Sequence, residues 1–143
     1  MKNKTVSTII VSILTILGGM AFNFQEFLMG SPATIKNLTI TFAYIILWVL
    51  ILAISIKSKN HRVMKYYSVF WILTLATSII TVYVNITGAQ VDWVIPFAIL
   101  LLGQWYGINF FAGSFLVSSI IIAFISLLLF IIAMVGVKRE KSA

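Results

Sequence analysis

The chain has 143 residues, of which 62% are hydrophobic and 9% charged, and its formal net charge is +7. Soluble domains carry about 25% charged residues, so this composition excludes a water-soluble globular fold and predicts an all-α integral membrane protein. The absence of cysteine excludes disulfides, thiolate metal sites and cysteine nucleophiles. We expect residues 1–143 to form a single transmembrane domain in a lipid bilayer.

Four apolar stretches are long enough to cross a bilayer. We expect spans at about residues 6–24, 38–56, 66–86 and 113–137. A stretch of 19 residues corresponds to roughly 28 Å of helix, about the thickness of the hydrocarbon core. Small residues in Gly19-Met20-Ala21 leave open a cleaved signal peptide at the N-terminus. Cleavage would not change the orientation of the remaining spans.

The last apolar region is too long for one crossing. Val94 to Val137 is 44 residues without a charge, or roughly 66 Å if fully helical. Pro96 and the stretch 103–109, with two glycines and two amides, interrupt it. We therefore expect an interfacial or re-entrant segment at about 94–111, packed as an outer cap on a four-helix bundle. A fifth crossing is the alternative.

Positive charge alternates along the chain and predicts its orientation. Nine of the ten Lys and Arg residues fall in three places: Lys2 and Lys4; Lys57, Lys59, Arg62 and Lys65; Lys138, Arg139 and Lys141. Cytoplasmic loops retain Lys and Arg, so both termini are expected on the cytoplasmic side. We expect the membrane to be the plasma membrane. Because the basic residues sit at predicted membrane boundaries, no nucleic-acid partner is expected.

Five polar residues on the predicted outer side are candidate ligand-binding residues. If the first helix continues past its span, Asn23 and Glu26 share a face and could form a small polar site. The alternative is an interfacial carboxylate that reaches water. Asn85, Gln104 and Asn109 form a second candidate cluster. They could bind a small polar molecule or a lipid headgroup, or simply satisfy the broken backbone of the cap.

Enzyme signatures are missing from the sequence. The single histidine, His61, lies in a basic loop, and Glu26, Asp92 and Glu140 are far apart in the chain. We therefore predict no metal, no cofactor and no catalytic residues. The leading hypothesis is a small non-enzymatic membrane protein acting through another membrane protein or as a homo-oligomer. Its role would be that of an accessory, regulatory or immunity-type subunit. A channel or carrier is the alternative, and a lipid-modifying enzyme comes third.

Aromatic and hydroxyl side chains predict how the helices pack. Two sets of aromatic residues fit interfacial belts: Trp93, Trp105 and Tyr106 outside; Tyr66, Tyr67 and Trp71 inside. Trp48 falls near the middle of a span, so its indole N–H is expected to find a partner. Small residues recur four apart, as in Thr74 and Ser78, which favours close packing within one bundle.

Overall fold

A computed structural model describes the backbone of residues 2–141 and the side chains of residues 5–138, and this part of the chain is all helical. Six α-helices follow one another: α1 (Lys2–Met29), α2 (Ile35–Lys57), α3 (His61–Thr87), α4 (Ile95–Leu102), α5 (Asn109–Ala112) and α6 (Phe115–Lys141). Two 3₁₀ stretches, Asp92–Val94 and Gly103–Ile108, flank α4. Residues 92–112 are called the broken segment below.

The four long helices extend beyond the expected spans. Helix α1 begins at Lys2 and ends at Met29, so it extends past both ends of the expected span 6–24. Polar residues at a membrane boundary do not by themselves end a helix. Gly30, in the left-handed region at φ +60°, and Pro32 end it. The amide oxygen of Asn60 accepts a bond from the backbone N–H of Val63 at 3.3 Å and begins α3.

Helices α3 and α6 form a tight antiparallel pair. A Cβ on Gly136 would lie 2.6 Å from Met64 Cε, so glycine permits the close approach near the start of α3. At the other end of the pair, Thr81 and Ser119 line one cavity. The end near Met64, with Lys57, Lys59, Arg62, Lys65 and Lys138, is called the basic end. The opposite end, with the connections 30–34, 88–91 and 113–114, is called the loop end.

Hydroxyls on this pair bond mainly within their own helices. Thr74 donates to the carbonyl of Phe70 at 3.0 Å, and Ser78 donates to that of Thr74 at 2.9 Å. Both side chains are buried. The small hydroxyl residues therefore act through their size, which lets the helices approach, rather than through bonds across the interface.

In the described part of the chain, five helical stretches are long and apolar enough to cross a membrane, and they support an integral membrane protein. Four are the long helices, and the fifth is residues 92–112. In the most apolar window of this fifth stretch 44% is buried, compared with 22–33% for the others. The broken segment packs against α1, α2 and α3, and residues 103–107 within it are buried.

Large aromatic side chains fill the middle of the bundle. Six of them form what we call the aromatic cluster: Tyr44, Trp48, Tyr67, Phe70, Trp71 and Trp105. Contacting rings have centroids 4.9–6.3 Å apart. Most pairs meet edge to face, and Trp48 stacks on Phe70 at 5.1 Å.

This cluster corrects two expectations about aromatic residues. Trp105, Tyr106, Tyr67 and Trp71 are at most 3% exposed, so they form no interfacial belt. Trp105 and Tyr106 are buried because the 3₁₀ stretch of the broken segment packs against α1 and α2. Tyr67 and Trp71 of α3 are buried because their rings pack on Trp48 of α2. The expectation for Trp48 is also wrong: within residues 5–138 its buried Nε1 has no hydrogen-bond partner.

Candidate functional site

Four fully or almost fully buried polar residues meet where the broken segment lies between α1 and α2. Asn23, Asn37 and Gln104 are 0% exposed and Thr41 is 2% exposed. We call these four the polar cluster. They come from three elements that are far apart in the chain, and burying polar groups is costly unless they are hydrogen-bonded. Their arrangement is therefore specified by hydrogen bonds to each other and to nearby backbone groups. Among the described residues the buried Gln104 Oε1 has no hydrogen-bond partner.

The two asparagines bond to each other across α1 and α2. Asn37 Nδ2 donates to Asn23 Oδ1 at 3.0 Å, and Asn23 Nδ2 donates to the backbone oxygen of Gln104 at 3.4 Å. Asn37 Oδ1 accepts hydrogen bonds from the backbone N–H and from the side-chain hydroxyl of Thr34, both at 2.8 Å. The asparagine pair thus connects the 30–34 turn to the broken segment.

Thr41 satisfies the backbone where the helix is broken. Its hydroxyl donates to the Gln104 backbone oxygen at 2.8 Å and accepts from the Gly107 N–H at 3.0 Å. Gln104 Nε2 donates to the backbone oxygen of Leu101 at 2.9 Å and to Tyr44 Oη at 3.4 Å. Lipid has no groups that could replace these partners. The polar cluster therefore holds the 3₁₀ stretch in place.

Two glycines let the backbones come this close. A Cβ on Gly107 would clash with the backbone of Asn37 and lie 2.6 Å from Leu38 Cα. A Cβ on Gly19 would lie 2.8 Å from Gln104 Cβ and 3.2 Å from a ring carbon of Tyr44. At these two positions the broken segment thus packs so closely against α2 and α1 that there is no room for an added methyl group.

Glu26 forms an ion pair beside the polar cluster. Helix α1 does continue past Asn23, and Lys36 Nζ lies 2.5 Å from Glu26 Oε1. The Lys36 side chain is 56% exposed and that of Glu26 is 21% exposed. The pair therefore joins α1 to α2 at the loop end, one helical turn from the buried asparagines.

The remaining candidate residues lie elsewhere. Asn109 Oδ1 accepts from Ser118 Oγ at 2.5 Å, which ties α5 to α6. Asn85 is exposed, and its Nδ2 donates to the carbonyl of Thr81 on the same helix at 2.8 Å. Asn23 and Gln104 therefore meet, Glu26 lies beside them, and Asn85 and Asn109 belong to other surfaces.

Residues of α2 were missed as members of the site. Asn37, Thr41, Tyr44 and Trp48 follow one another at intervals of four, three and four, which places them on one face of a helix. That spacing in the sequence would have indicated a buried face with polar residues at one end.

Neither the comparisons nor the donor set identifies a bound group. No known protein family, curated protein or solved structure matches the chain. Within the described residues no three His, Cys, Asp or Glu side chains come together as metal ligands. The chemistry of the polar cluster is that of neutral amides and a hydroxyl, which donate and accept hydrogen bonds.

Proposed function

We propose that the chain crosses the plasma membrane four times with both termini in the cytoplasm, and that the broken segment enters and leaves at the loop end. One shared cavity and two hydrogen bonds support this path. Thr81, within the last two turns of α3, and Ser118, in the first turn of α6, line the same cavity. Tyr106 Oη donates to the carbonyl of Ser31 in the first loop. Asn109 bonds to Ser118.

The depth of the broken segment follows from its neighbours on α2. Its Gly107 contacts Asn37, the third residue of α2, whereas Gln104 contacts Tyr44. Asn37 and Tyr44 are seven residues apart, or about 10 Å along a helix. A re-entrant path of this depth needs protein partners for its backbone, and Thr41 supplies them.

Cysteine labelling tests this topology in a chain that has no cysteine of its own. Cysteines placed at Ser58 and Ser142 should resist a membrane-impermeant thiol reagent in intact cells, and one at Ala89 should react. Permeabilised cells provide the control, because all three must then react. Labelling of Ser142 in intact cells would contradict four crossings and favour five.

We infer that the protein is a non-enzymatic membrane protein that acts through another membrane protein. The observation that carries this proposal is the aromatic cluster, whose rings occupy the middle of the bundle between the polar cluster and the basic end. A solute path through one molecule would have to displace Trp48 and Trp71, which are at most 1% exposed. The exposed apolar faces of the long helices, which include Leu14, Val49 and Phe124, are left for helix contacts with a partner.

Site-directed photocrosslinking in the native membrane tests this function. A photoreactive residue is placed at three exposed positions on different helices: Leu14, Val49 and Phe124. A partner should give one discrete protein adduct from one helix face, and its yield should fall when unlabelled protein is overexpressed. Lipid adducts alone from all three positions would contradict the proposal.

An oligomeric channel or carrier is the second candidate, and the Glu26–Lys36 pair beside the buried Asn23 favours it. Ionisable residues near a membrane interior are typical of ion and proton pathways. Solute or proton flux into liposomes containing the purified protein would support this candidate. The flux should then be lost in Glu26→Gln and kept in Asp92→Asn.

A further inference from the structure

Two adjoining cavities lie at the loop end, apart from the four side chains of the polar cluster. The larger has a volume of about 460 Å³, is open on one side, and is bordered by the 30–33 turn and by residues between Tyr106 and Phe115. The smaller has a volume of about 50 Å³ and is lined mainly by residues of α3, α4, α6 and the 3₁₀ stretch. Tyr106, Asn109 and Phe115 line both, so the two cavities meet at these residues.

The lining of the two cavities restricts the chemistry of a ligand. Neither lining contains a Lys, Arg, Asp, Glu or His side chain. The inner cavity is mostly apolar, with Phe27, Leu102 and Ile122 among its walls. A charged ligand would lose its hydration there without gaining an ionic partner, which is costly. The cavities therefore favour a neutral molecule.

Asn109, where the two cavities meet, offers a hydrogen-bond donor to a ligand. Its Oδ1 accepts from the Ser118 hydroxyl, so its amide NH₂ is the group that can donate to a ligand. An apolar cavity of this kind stays dry and takes up small apolar groups. The outer cavity falls within the range of about 300–1,000 Å³ that is usual for small-molecule sites.

We propose that these cavities bind a small neutral amphiphile. The inner cavity has about a third of the roughly 150 Å³ that holds benzene, so only the tip of the apolar end, such as a methyl group or a bromine atom, would enter it. The rest of the molecule would lie in the outer cavity, and a hydroxyl or carbonyl oxygen would accept a hydrogen bond from Asn109. The outer cavity is bounded by residues at helix ends and in loops, so the molecule enters from the water at the loop end rather than from the bilayer. This proposal does not depend on the partner function proposed above.

Fluorescence quenching by a brominated probe tests the site. The probe is 4-bromobenzyl alcohol, and the protein is the full chain in nanodiscs with the exposed Trp93 replaced by Phe. Bromine quenches indole fluorescence at short range, and Trp105 lines the inner cavity. We expect saturable quenching by the alcohol. The charged analogue 4-bromobenzoate should quench at least 10-fold more weakly.

Variants of the cavity separate binding from partition into the bilayer. Ala98→Leu fills the inner cavity and should weaken probe binding at least 10-fold, whereas Ala89→Leu, outside both linings, should leave it unchanged. Asn109→Ala keeps the inner cavity and should weaken binding about 3- to 10-fold, the equivalent of one hydrogen bond. It provides the test if Ala98→Leu does not fold, as judged by circular dichroism.

Three results would overturn the proposal. The first is non-saturable quenching that is equal in all variants, because it would indicate simple partition into lipid. The second is equal quenching by the alcohol and the benzoate. The third is a loss of probe affinity when monoacylglycerol is added to the nanodiscs, because the cavities would then bind a bilayer lipid. We expect monoacylglycerol to leave the probe affinity unchanged.

Discussion

Two buried clusters lie side by side in this bundle and are held together differently. In the polar cluster, side chains bond to each other and to the backbone of the broken segment. In the aromatic cluster, the rings pack closely, and the indole nitrogens of Trp48, Trp71 and Trp105 lack hydrogen-bond partners among the described side chains. Tyr44 of the aromatic cluster links the two, because its hydroxyl accepts from Gln104 and its ring packs on Trp105 at 5.2 Å.

The difference follows from what the backbone requires at each place. Where helices are continuous, the backbone satisfies itself and only volume has to be filled, which aromatic rings do well. Where the chain is broken at Gly103–Ile108, carbonyl and N–H groups need partners that lipid does not supply. Polar side chains therefore occur beside the break, and the two clusters should respond differently to mutation.

The largest effect is expected in the aromatic cluster. Trp48→Ala removes a ring that contacts Tyr44, Tyr67, Phe70 and Trp71, and should lower the free energy of unfolding by about 3–5 kcal/mol. Reversible unfolding in mixed detergent measures it.

The matched control for this variant is Trp93→Ala, because Trp93 is 65% exposed. It should change the unfolding free energy by less than about 0.5 kcal/mol, as surface substitutions usually do. A loss below about 1 kcal/mol for Trp48→Ala would show that the aromatic cluster does not hold the helices together.

The next effect concerns the close backbone contact of the broken segment. Gly107→Ala places a methyl group against Asn37 and Leu38 of α2, where the nearest atoms are backbone and cannot turn away. Overpacking of this kind costs about 1–3 kcal/mol or more. Gly103→Ala in the same stretch meets only Met20 Cγ at 3.6 Å and should be tolerated. Equal thermal stability of the two variants would exclude this close packing against α2.

Much of the fold could be predicted from the sequence because membrane helices satisfy their own backbone and need only apolar length. That argument located the four long helices and an interruption at 103–109. It could not place Gln104 beside Asn23, because their contact joins positions 81 residues apart. The prediction for Trp105 was also wrong, because the same residue types, Trp and Tyr, occur at the membrane interface and inside a bundle. Which side of a helix faces protein depends on a partner that local sequence does not specify.

The polar cluster should show a smaller and directional coupling. Asn23→Ala, Asn37→Ala and the double variant form a cycle that isolates the bond between the two amides at 3.0 Å. Hydrogen bonds between membrane helices contribute about 0.6 kcal/mol on average and up to about 1.7 kcal/mol. Asn85 bonds within its own helix, so the control cycle of Asn23 with Asn85 should give no coupling. Equal coupling in both cycles would contradict a specific amide pair.

The smallest effect is expected at the edge of the polar cluster, in Glu26→Gln. The ion pair of Glu26 with Lys36 is partly exposed, and exposed pairs contribute little to stability. The melting temperature should therefore fall only slightly, by less than in the asparagine variants, and the fall should shrink at high salt, where the wild-type pair is itself screened. Thermal unfolding at low and high ionic strength measures both.

A second variant shows whether this small loss comes from the ion pair. In a Lys36→Gln background, Glu26→Gln should cost nothing further, because the charge that Glu26 neutralises is already gone. A fall in melting temperature as large as that of Asn23→Ala that persists at high salt and in the Lys36→Gln background would mean that the carboxylate acts within the polar cluster. Glu26 would then be held by directional bonds like the buried asparagines, and the boundary of the polar cluster would move outward by one helical turn.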